Sequence, residues 1–292
     1  MFNPMLGETY ELVTEDFRFF AEQVSHHPPV SAFCQEGKQY KVNGHLDIKS
    51  NFGLGNGTGC MNIRTLGYID YYYENFDEHI SVDRPVCYVS NMLFGNCHVD
   101  FYGEVRVTNH KTGEYGIIHF KARDWRTESR LSGKFYDQTG QERYEIYGPF
   151  KEKLELKNLA TGEVETIFEK PEPYPGWRRQ FGFSHVTMNL NYICPEMREW
   201  IAPTDSRLRY DMRLYEEGLV DEADEEKIRL EVKQRKARKI REESKQQWVP
   251  NFFVQREHPV ISGETAYQFI QHNNYWDRRE HHDWQDLPDL WL

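Results

Sequence analysis

The stretch VDFYGEVRVTNHKTGEYGIIHFKAR, residues 99–123, contains two β-rich runs on either side of a turn that carries Gly113. The same arrangement recurs in residues 132–148 around DQTGQ and in residues 153–169 around NLATG. Three successive hairpins with a glycine near each tip predict an antiparallel meander. A long meander usually curls into a sandwich or a barrel, because closure removes exposed edges.

Residues upstream extend the β-rich region. KQYKVNGHLDIKSNF, residues 38–52, is a candidate strand region that contains turn residues. The glycine-rich NFGLGNGTGC, residues 51–60, superficially has phosphate-loop spacing but lacks the final GK[ST]. A strand-like segment, MNIRTLGYIDYYY, follows it where a phosphate loop requires a helix. We therefore interpret residues 51–60 as a loop or bulge between strands.

The composition changes after Pro203, where the chain becomes densely charged. Residues 221–246 predict one helix, with acidic residues in the first turns and Lys and Arg in the last. Its apolar residues form a narrow packing stripe. The stripe consists of Ala223, Leu230 and Ala237, with Ile228, Val232 and Ile240 beside them. The remaining residues, 251–292, are aromatic and charged with weak periodicity, which suggests a surface tail or a short appended element.

Overall composition limits the function classes. The chain has 292 residues, a net charge of -11 and 15% aromatic residues, and its mean hydropathy is -0.81. The acidic balance argues against a general nucleic-acid-binding protein. Five cysteines without a CxxC pair indicate buried thiols in a reducing compartment. No signal peptide or membrane-spanning run is visible, so a cytosolic protein is expected.

The segment EQVSHHPPVSAF, residues 22–33, is the most unusual part of the sequence. Histidine is a common metal ligand and general base. Pro28 favours an extended His27, and neighbouring side chains on an extended chain point apart, so one metal ion held by both rings is awkward. The sequence has no HExxH and no GxSxG motif. A stiff turn with local hydrogen bonds and an anion site both stay open.

Lys227, Glu231 and Arg235 follow each other at intervals of four residues in the predicted helix. They form one polar ridge, because each step of four rotates by only about 40°. Such a ridge contains either two ordinary ion pairs or a phosphate clamp made of an ammonium group and a guanidinium fork. Spacing alone favours the ion pairs.

Several motifs in a fixed order resemble those of the oxysterol-binding-protein-related lipid-transfer family. EQVSHHPP matches the family signature letter for letter, and FNPMLGETYEL, residues 2–12, resembles the motif that precedes it. PTDSRLRYD (203–211) and EEKIRLEVKQRKARKIRE (225–242), followed by WVPNFF (248–253), resemble the family's carboxyl-terminal segment. The likeness covers roughly residues 2–253.

This resemblance implies a fold and a domain organisation. The expected fold is mainly β with α: an incomplete antiparallel β-barrel that encloses an apolar lipid tunnel, followed by a C-terminal helical segment. Residues 1–292 would form a single domain, with the barrel at about 1–190, the helical segment at about 195–250 and a surface tail at about 251–292. The family motif begins Lys-Pro, whereas this sequence has Met1 at the Pro position. We therefore expect a truncated or naturally lidless form that lacks the phosphate-binding Lys, the lid and the first helices.

The resemblance also implies a function without catalysis. The tunnel would hold one lipid, either a sterol or phosphatidylserine, or alternatively phosphatidylinositol 4-phosphate, and exchange it between membranes. The alternative is a sensor or scaffold that binds lipid without net transfer. The expected protein is a cytoplasmic monomer without metal or cofactor that contacts membranes transiently, including at endoplasmic reticulum contact sites. The family's phosphoinositide headgroup contacts fall on Asn3, His26, His27, Lys227, Glu231 and Arg235.

Overall fold

The computed structural model of the chain describes residues 2–54, 57–124 and 126–292. These residues are rich in antiparallel strands. The strands are β1 (Thr9–Val13), β2 (Phe17–His26), β3 (Pro29–Gly37), β4 (Tyr40–Gly53), β5 (Cys60–Leu66), β6 (Ile69–Tyr73), β7 (Glu78–Val82), β8 (Val86–Ser90), β9 (His98–Asn109), β10 (Tyr115–Lys121), β11 (Arg130–Tyr136), β12 (Glu142–Gly148), β13 (Lys153–Asn158), β14 (Val164–Glu169), β15 (Phe253–Glu257) and β16 (Thr265–Phe269).

Helices follow the main run of strands. They are α1 (His185–Asn189), α2 (Pro195–Trp200), α3 (Tyr210–Glu216), α4 (Val220–Ser244) and α5 (Tyr275–Glu280). The strand region predicted to reach about residue 190 therefore ends at Glu169, and α1 already occupies residues 185–189. Within the described ranges, no helix is both long and apolar enough to cross a membrane.

The chain divides into two compact units. Unit 1 comprises residues 1–38, 173–256 and 267–292, and unit 2 comprises residues 39–172 and 257–266. Unit 1 contains the strands β1–β3 and the helices α1–α5. Unit 2 contains β4–β14.

Unit 2 is an antiparallel meander. Gly44 pairs with Ile69 and Asp47 with Leu66, so β5 and β6 follow one register along β4 and are separated only by residues 67–68. Gly67 has a φ of 82°, and a Cβ there would lie 2.3 Å from the His45 ring, so this break requires glycine. β7 and β8 pair in a similar way with β9 and are separated by residues 83–85.

The three predicted hairpins are confirmed as β9–β10, β11–β12 and β13–β14. Each turn begins with Asn109, Asp137 or Asn158, whose side-chain oxygen accepts backbone N–H groups from inside the turn. Each turn also contains a glycine in the left-handed region. This combination of an Asn or Asp side-chain acceptor and a left-handed glycine is typical of Asx-turns. The glycine-rich loop predicted at residues 51–60 is only partly correct, because residues 51–53 belong to β4 and Cys60 to β5, and Gly55 and Asn56 lie outside the described residues.

The meander has one apolar face. In β9 the odd-numbered residues from Val99 to Val107 are apolar or glycine, whereas the even-numbered residues from Asp100 to Arg106 are polar or tyrosine. Strand registers continue this apolar face across β9–β13. One row of it consists of Val105, Ile118, Gly133, Ile146 and Leu156. Val105 and Ile146 are buried, whereas Val99 is 49% exposed.

Unit 1 has an aromatic core around Phe20 of β2. Phe20 stacks on Tyr275 with 4.0 Å between ring centroids and meets Phe252 edge to face at 5.2 Å. Phe253 and Trp276 are also buried in this cluster. The expectation of a surface tail at about 251–292 is therefore wrong for these residues. Their weak periodicity reflects large rings that enter the core from a strand, a turn and a short helix.

The long helix is confirmed at Val220–Ser244, close to the predicted 221–246. Asp221 and Glu222 lie in its first turn, and Lys245 ends it in the left-handed conformation. The predicted packing stripe is only partly correct. Ala223 and Leu230 are fully buried, but Ile228, Val232 and Ile240 are exposed.

The five cysteines are free thiols. Cys34 and Cys60 are buried, whereas Cys87 and Cys194 are partly exposed and Cys97 is exposed. The prediction of buried thiols is therefore correct for two positions only. Cys97 is exposed because it lies in the turn between β8 and β9.

Candidate functional site

The paired histidines lie at a hairpin tip. His26 is the last residue of β2 and pairs with Pro29, so His27 and Pro28 form a two-residue turn, and the His27–Pro28 bond is cis. The two imidazole centroids are 4.7 Å apart and the rings are nearly perpendicular. The expectation that the rings point apart is therefore wrong, because His27 lies in the turn and not on an extended strand.

Two residues of the same segment hold the hairpin in place. Glu22 is buried, and its carboxylate accepts the backbone N–H groups of Asn251 at 2.7 Å and Phe252 at 2.9 Å. Burial raises the pKa of Glu22 to about 7, although these hydrogen bonds oppose the shift. The Gln23 side chain donates to the Ser25 carbonyl and accepts from the Ser31 hydroxyl across the hairpin.

A buried ion-pair network positions the amino-terminal segment beside the histidines. Arg209 forms a bidentate pair with Asp211, and its Nη1 also donates to Glu8 and to the Asn3 carbonyl, both at 2.9 Å. Glu8 in turn accepts the Met5 N–H at 2.7 Å. Each of these buried charges has an oppositely charged partner and hydrogen bonds, which offset the cost of removing it from water. Residues 3–8 are consequently fixed by side chains from the RLRYD motif.

Helix α4 provides the opposite wall. Lys227, Glu231 and Arg235 lie along it as predicted, and Gln234 and Arg238 lie beside them. Relative to Lys227, positions seven and eleven residues later are rotated by only about 20° in either direction, whereas position eight is rotated by about 80°. Arg238 therefore lies on the same face of α4 as Lys227 and Glu231. Gln234 also accepts the Leu6 N–H at 3.0 Å, which connects the helix to the amino-terminal segment.

These elements enclose a cavity of about 360 Å³ within unit 1. All six predicted site residues line it, so the structure brings together side chains more than 190 positions apart. The complete lining is Phe2, Asn3, Met5, His26, His27, Arg209, Lys227, Glu231, Gln234, Arg235 and Arg238. We name this the headgroup cavity, after the phosphoinositide headgroup contacts that the family resemblance predicts for these six residues. A second cavity of about 360 Å³ adjoins it and shares both histidines, Gln234 and Arg238, and Trp248 is part of its lining.

The headgroup cavity is locally basic in an acidic protein. Its lining contains four Lys or Arg residues and the single carboxylate of Glu231. Lys227 Nζ lies 3.9 Å from Glu231, and Arg238 pairs with Glu242 at 2.7 Å. Among the described residues, Arg235 has no carboxylate within 4.0 Å. Its guanidinium is therefore available to an anionic ligand.

The two imidazoles add further hydrogen-bonding groups to the cavity. Burial and the neighbouring His27 lower the pKa of His26, and Arg238 lowers it further, while the Pro4 carbonyl and Glu231 act in the opposite direction. His26 is thus neutral at pH 7. Its Nδ1 atom is buried and has no hydrogen-bond partner in the described part of the chain. A ligand oxygen or hydroxyl group could satisfy it.

The described residues contain no cluster of side chains suited to a metal ion. In residues 2–54, 57–124 and 126–292, no three His, Cys, Asp or Glu side chains are arranged to hold a metal ion. The cavity's chemistry is that of cationic and neutral N–H donors. Such donors bind phosphate oxygens through charge-assisted hydrogen bonds.

Sequence reasoning missed part of the cavity wall. Phe2 and Met5 follow from the FNPMLGE motif only by proximity to Asn3. Arg209 lies in the RLRYD motif, but no local pattern relates it to the histidines. Gln234 and Arg238 could have been found by extending the ridge from steps of four to steps of seven and eleven.

Comparisons with known proteins agree with this architecture. The family described as oxysterol-binding protein matches residues 1–280. Oxysterol-binding protein homolog 1 of Saccharomyces cerevisiae is 34% identical over 318 residues, which cover 99% of this chain and 26% of that protein. Human oxysterol-binding protein-related protein 1 is 32% identical, with 99% of this chain and 34% of that protein covered. The chain thus spans about a quarter to a third of these relatives.

Solved structures are similar over almost the whole chain. The Osh1 ORD domain in complex with cholesterol matches with a TM-score of 0.87 and 32% identity, covering 99% of this chain and 72% of that one. The Osh3 ORD from Saccharomyces cerevisiae in complex with PI(4)P matches with a TM-score of 0.82 and 30% identity, covering 99% and 75%. The predicted mainly β fold is confirmed by these matches. The chain belongs to the oxysterol-binding protein family.

Proposed function

We propose that this chain is a lipid-binding and lipid-transfer domain that recognises phosphatidylinositol 4-phosphate in the headgroup cavity. The observation that carries the proposal is the convergence of His26 and His27 with Lys227 and Arg235 on one cavity. A phosphate group carries several acceptor oxygens, so two imidazoles, an ammonium group and a guanidinium fork can bind it together. Glu231 and Asn3 would accept or donate hydrogen bonds at the inositol hydroxyls.

Unit 2 offers the apolar surface that a lipid needs. The apolar face of the meander borders a cavity of about 410 Å³. Its wall includes Ile80, Val107, Phe135, Ile146 and Leu156. Hiding acyl chains or a sterol from water at such a wall contributes about 25 cal/mol per Å² of apolar surface. This supports an apolar ligand without identifying it.

The solved relatives suggest the second ligand. Osh1 ORD is described in complex with cholesterol and with ergosterol, and Osh3 ORD in complex with PI(4)P. For this chain we propose a sterol as the alternate ligand, with phosphatidylserine as the other choice. By exchanging the two lipids, the domain would carry one lipid to a second membrane and return with the other.

The proposed protein acts without catalysis. The cavity provides cationic and imidazole N–H donors suited to binding, and the solved relatives are described in complex with lipids. We propose a cytoplasmic monomer that contacts membranes peripherally and transiently, including at endoplasmic reticulum contact sites. Membrane contact is a physical requirement of the proposal, because the ligand must leave and re-enter a bilayer.

Transfer and simple binding can be separated experimentally. Fluorescent phosphatidylinositol 4-phosphate would be placed in donor liposomes, and its arrival in acceptor liposomes measured beside the amount of protein-bound lipid. We expect both binding and transfer, with transfer faster when the acceptor contains sterol. Binding without transfer would contradict the transfer function and leave a phosphoinositide sensor or scaffold.

A further inference from the structure

Two neighbouring hairpin tips of unit 2 are joined by backbone hydrogen bonds. The turn between β8 and β9 donates the Leu93 N–H to the Thr58 carbonyl at 2.8 Å and the Met92 N–H to the Gly59 carbonyl at 3.1 Å. Gly59 has a φ of 74°, and a Cβ there would lie 2.7 Å from the Leu93 side chain. Leu93 therefore packs directly on the other turn, and the two tips form one connected surface.

This surface exposes large apolar side chains. Leu54 is 66% exposed, Leu93 52% and Phe94 70%, and Met92 is also exposed. We name these four residues the apolar tip. Single exposed apolar residues are normal on a protein surface, whereas four at adjacent turns form a cluster that indicates an interaction site.

Formal charge is missing around the apolar tip. Residues 50–63 and 86–99 contain no Asp, Glu, Lys or Arg, although such residues make up 28% of the whole chain. These two segments comprise the end of β4, residues 60–63 of β5, all of β8, the start of β9 and the turns that carry the tip. A bilayer interior penalises charged groups strongly, so an inserting loop must lack them, whereas a protein partner tolerates a charged rim.

The turn between β6 and β7 provides a contrast within the same unit. Phe76 there is 67% exposed, about as much as Phe94. It is surrounded in sequence by Glu74, Asp77 and Glu78. Insertion of Phe76 would carry these carboxylates into a bilayer, so equal exposure does not give equal suitability for membrane contact.

We propose that the apolar tip inserts into the outer part of a lipid bilayer and is the membrane-docking element of unit 2. The inference rests on the proposed lipid-transfer function and adds the surface through which the domain meets the membrane. Insertion would bury Leu54, Leu93 and Phe94 among acyl chains without removing a charge from water. The hydrogen bonds between the turns lower the cost, because the tip needs no reordering on contact.

The test uses vesicles of phosphatidylcholine alone, which contain no phosphoinositide. Sedimentation with these vesicles would be measured for the wild type, Phe94→Ser, Leu93→Ser and the matched control Phe76→Ser. Phe94→Ser removes the apolar surface that one Phe side chain buries in the bilayer, so we expect at least about a tenfold loss of vesicle affinity. Phe76→Ser should bind as the wild type does.

Headgroup binding is measured separately with soluble glycerophosphoinositol 4-phosphate, without vesicles. Phe94→Ser should bind glycerophosphoinositol 4-phosphate as the wild type does. If neither the wild type nor any variant binds this compound, the headgroup proposal is contradicted and the docking proposal is not. Equal vesicle binding by Phe94→Ser and Phe76→Ser, or no vesicle binding by the wild type, would overturn the docking proposal. A dimer in light scattering that Phe94→Ser dissociates, with no vesicle binding, would identify a second copy as the occupant instead.

Discussion

Four residues of the EQVSHHPP segment divide into two roles. Glu22 and Gln23 stabilise local structure, because their side chains accept or donate hydrogen bonds within unit 1. His26 and His27 instead line the headgroup cavity. A bulge at Val24, where the register shifts between Gln23 and Ser25, separates the two pairs. The signature therefore encodes both a hairpin and the groups that the hairpin presents.

The cations of α4 are expected to contribute unequally to ligand binding. Arg235→Ala should weaken binding of soluble glycerophosphoinositol 4-phosphate by about tenfold, since a charge-assisted hydrogen bond contributes roughly 1.5–3 kcal/mol. Lys239→Ala is the matched control, because Lys239 is 77% exposed and pairs with Glu243 away from the cavity. Isothermal titration calorimetry would compare the two. Equal losses would indicate diffuse charge and not a specific contact.

How much of the site could be predicted depends on the kind of signal. Asn3, His26, His27 and the Lys227 ridge are predicted because they fall on family motifs, whereas helical spacing alone favours ordinary ion pairs in the ridge. Arg209 could not be found, because its role depends on pairs with Glu8 and Asp211 that only the folded chain forms. The orientation of the two imidazoles was mispredicted, since the turn position of His27 is a property of strand register.

At the scale of elements, Glu22 connects β2 to the segment that enters the aromatic core. Its pKa of about 7 in the folded protein lies above the usual value of 4.5. The folded state therefore binds a proton between pH 4.5 and 7 that the unfolded state has lost. By linkage, this group's contribution to the free energy of unfolding falls as the pH rises through that interval.

This linkage predicts a pH dependence that one substitution removes. The wild type should lose up to about 3 kcal/mol of stability, relative to Glu22→Gln, between pH 5 and pH 8. Urea unfolding at several pH values would measure it, and Glu15→Gln, at an exposed position, serves as the control. Parallel curves for the wild type and Glu22→Gln would show that the Glu22 pKa is not raised.

A second element-scale prediction concerns the segment between β15 and β16. Within unit 2, buried His258 accepts the Val260 and Ile261 N–H groups through Nδ1, and its Nε2 lies 3.0 Å from Asp70. His258→Ala should lower the free energy of unfolding by about 2–4 kcal/mol, because it leaves buried polar groups without partners.

The control for this prediction is His119→Ala. The His119 side chain is 60% exposed, and its contact with Glu104 is 3.7 Å long. Its loss should change stability by less than about 0.5 kcal/mol in the same urea titration. Equal effects of the two substitutions would refute the structural role of His258. No sequence pattern indicated this role, since Asp70 lies 188 residues away.

At the scale of the whole molecule, charge is distributed unevenly. The chain has a net charge of -11, yet four Lys or Arg residues and two histidines line the headgroup cavity, and the apolar tip lacks charge. The acidic composition argues against a general nucleic-acid-binding protein but does not locate the basic cavity. The hairpin motifs predicted the meander because turn chemistry is local. The aromatic core at residues 252–276 was missed because its order arises only from packing around Phe20.

The most direct test of the central claim is extraction of phosphatidylinositol 4-phosphate from liposomes. It would compare the wild type, His26→Ala/His27→Ala and the control His281→Ala/His282→Ala, whose paired histidines are exposed and lie outside the headgroup cavity. Circular dichroism would verify the fold of each variant. We expect extraction by the wild type and the control and at least about a tenfold loss for His26→Ala/His27→Ala. Extraction by that variant at the wild-type level would contradict the central claim.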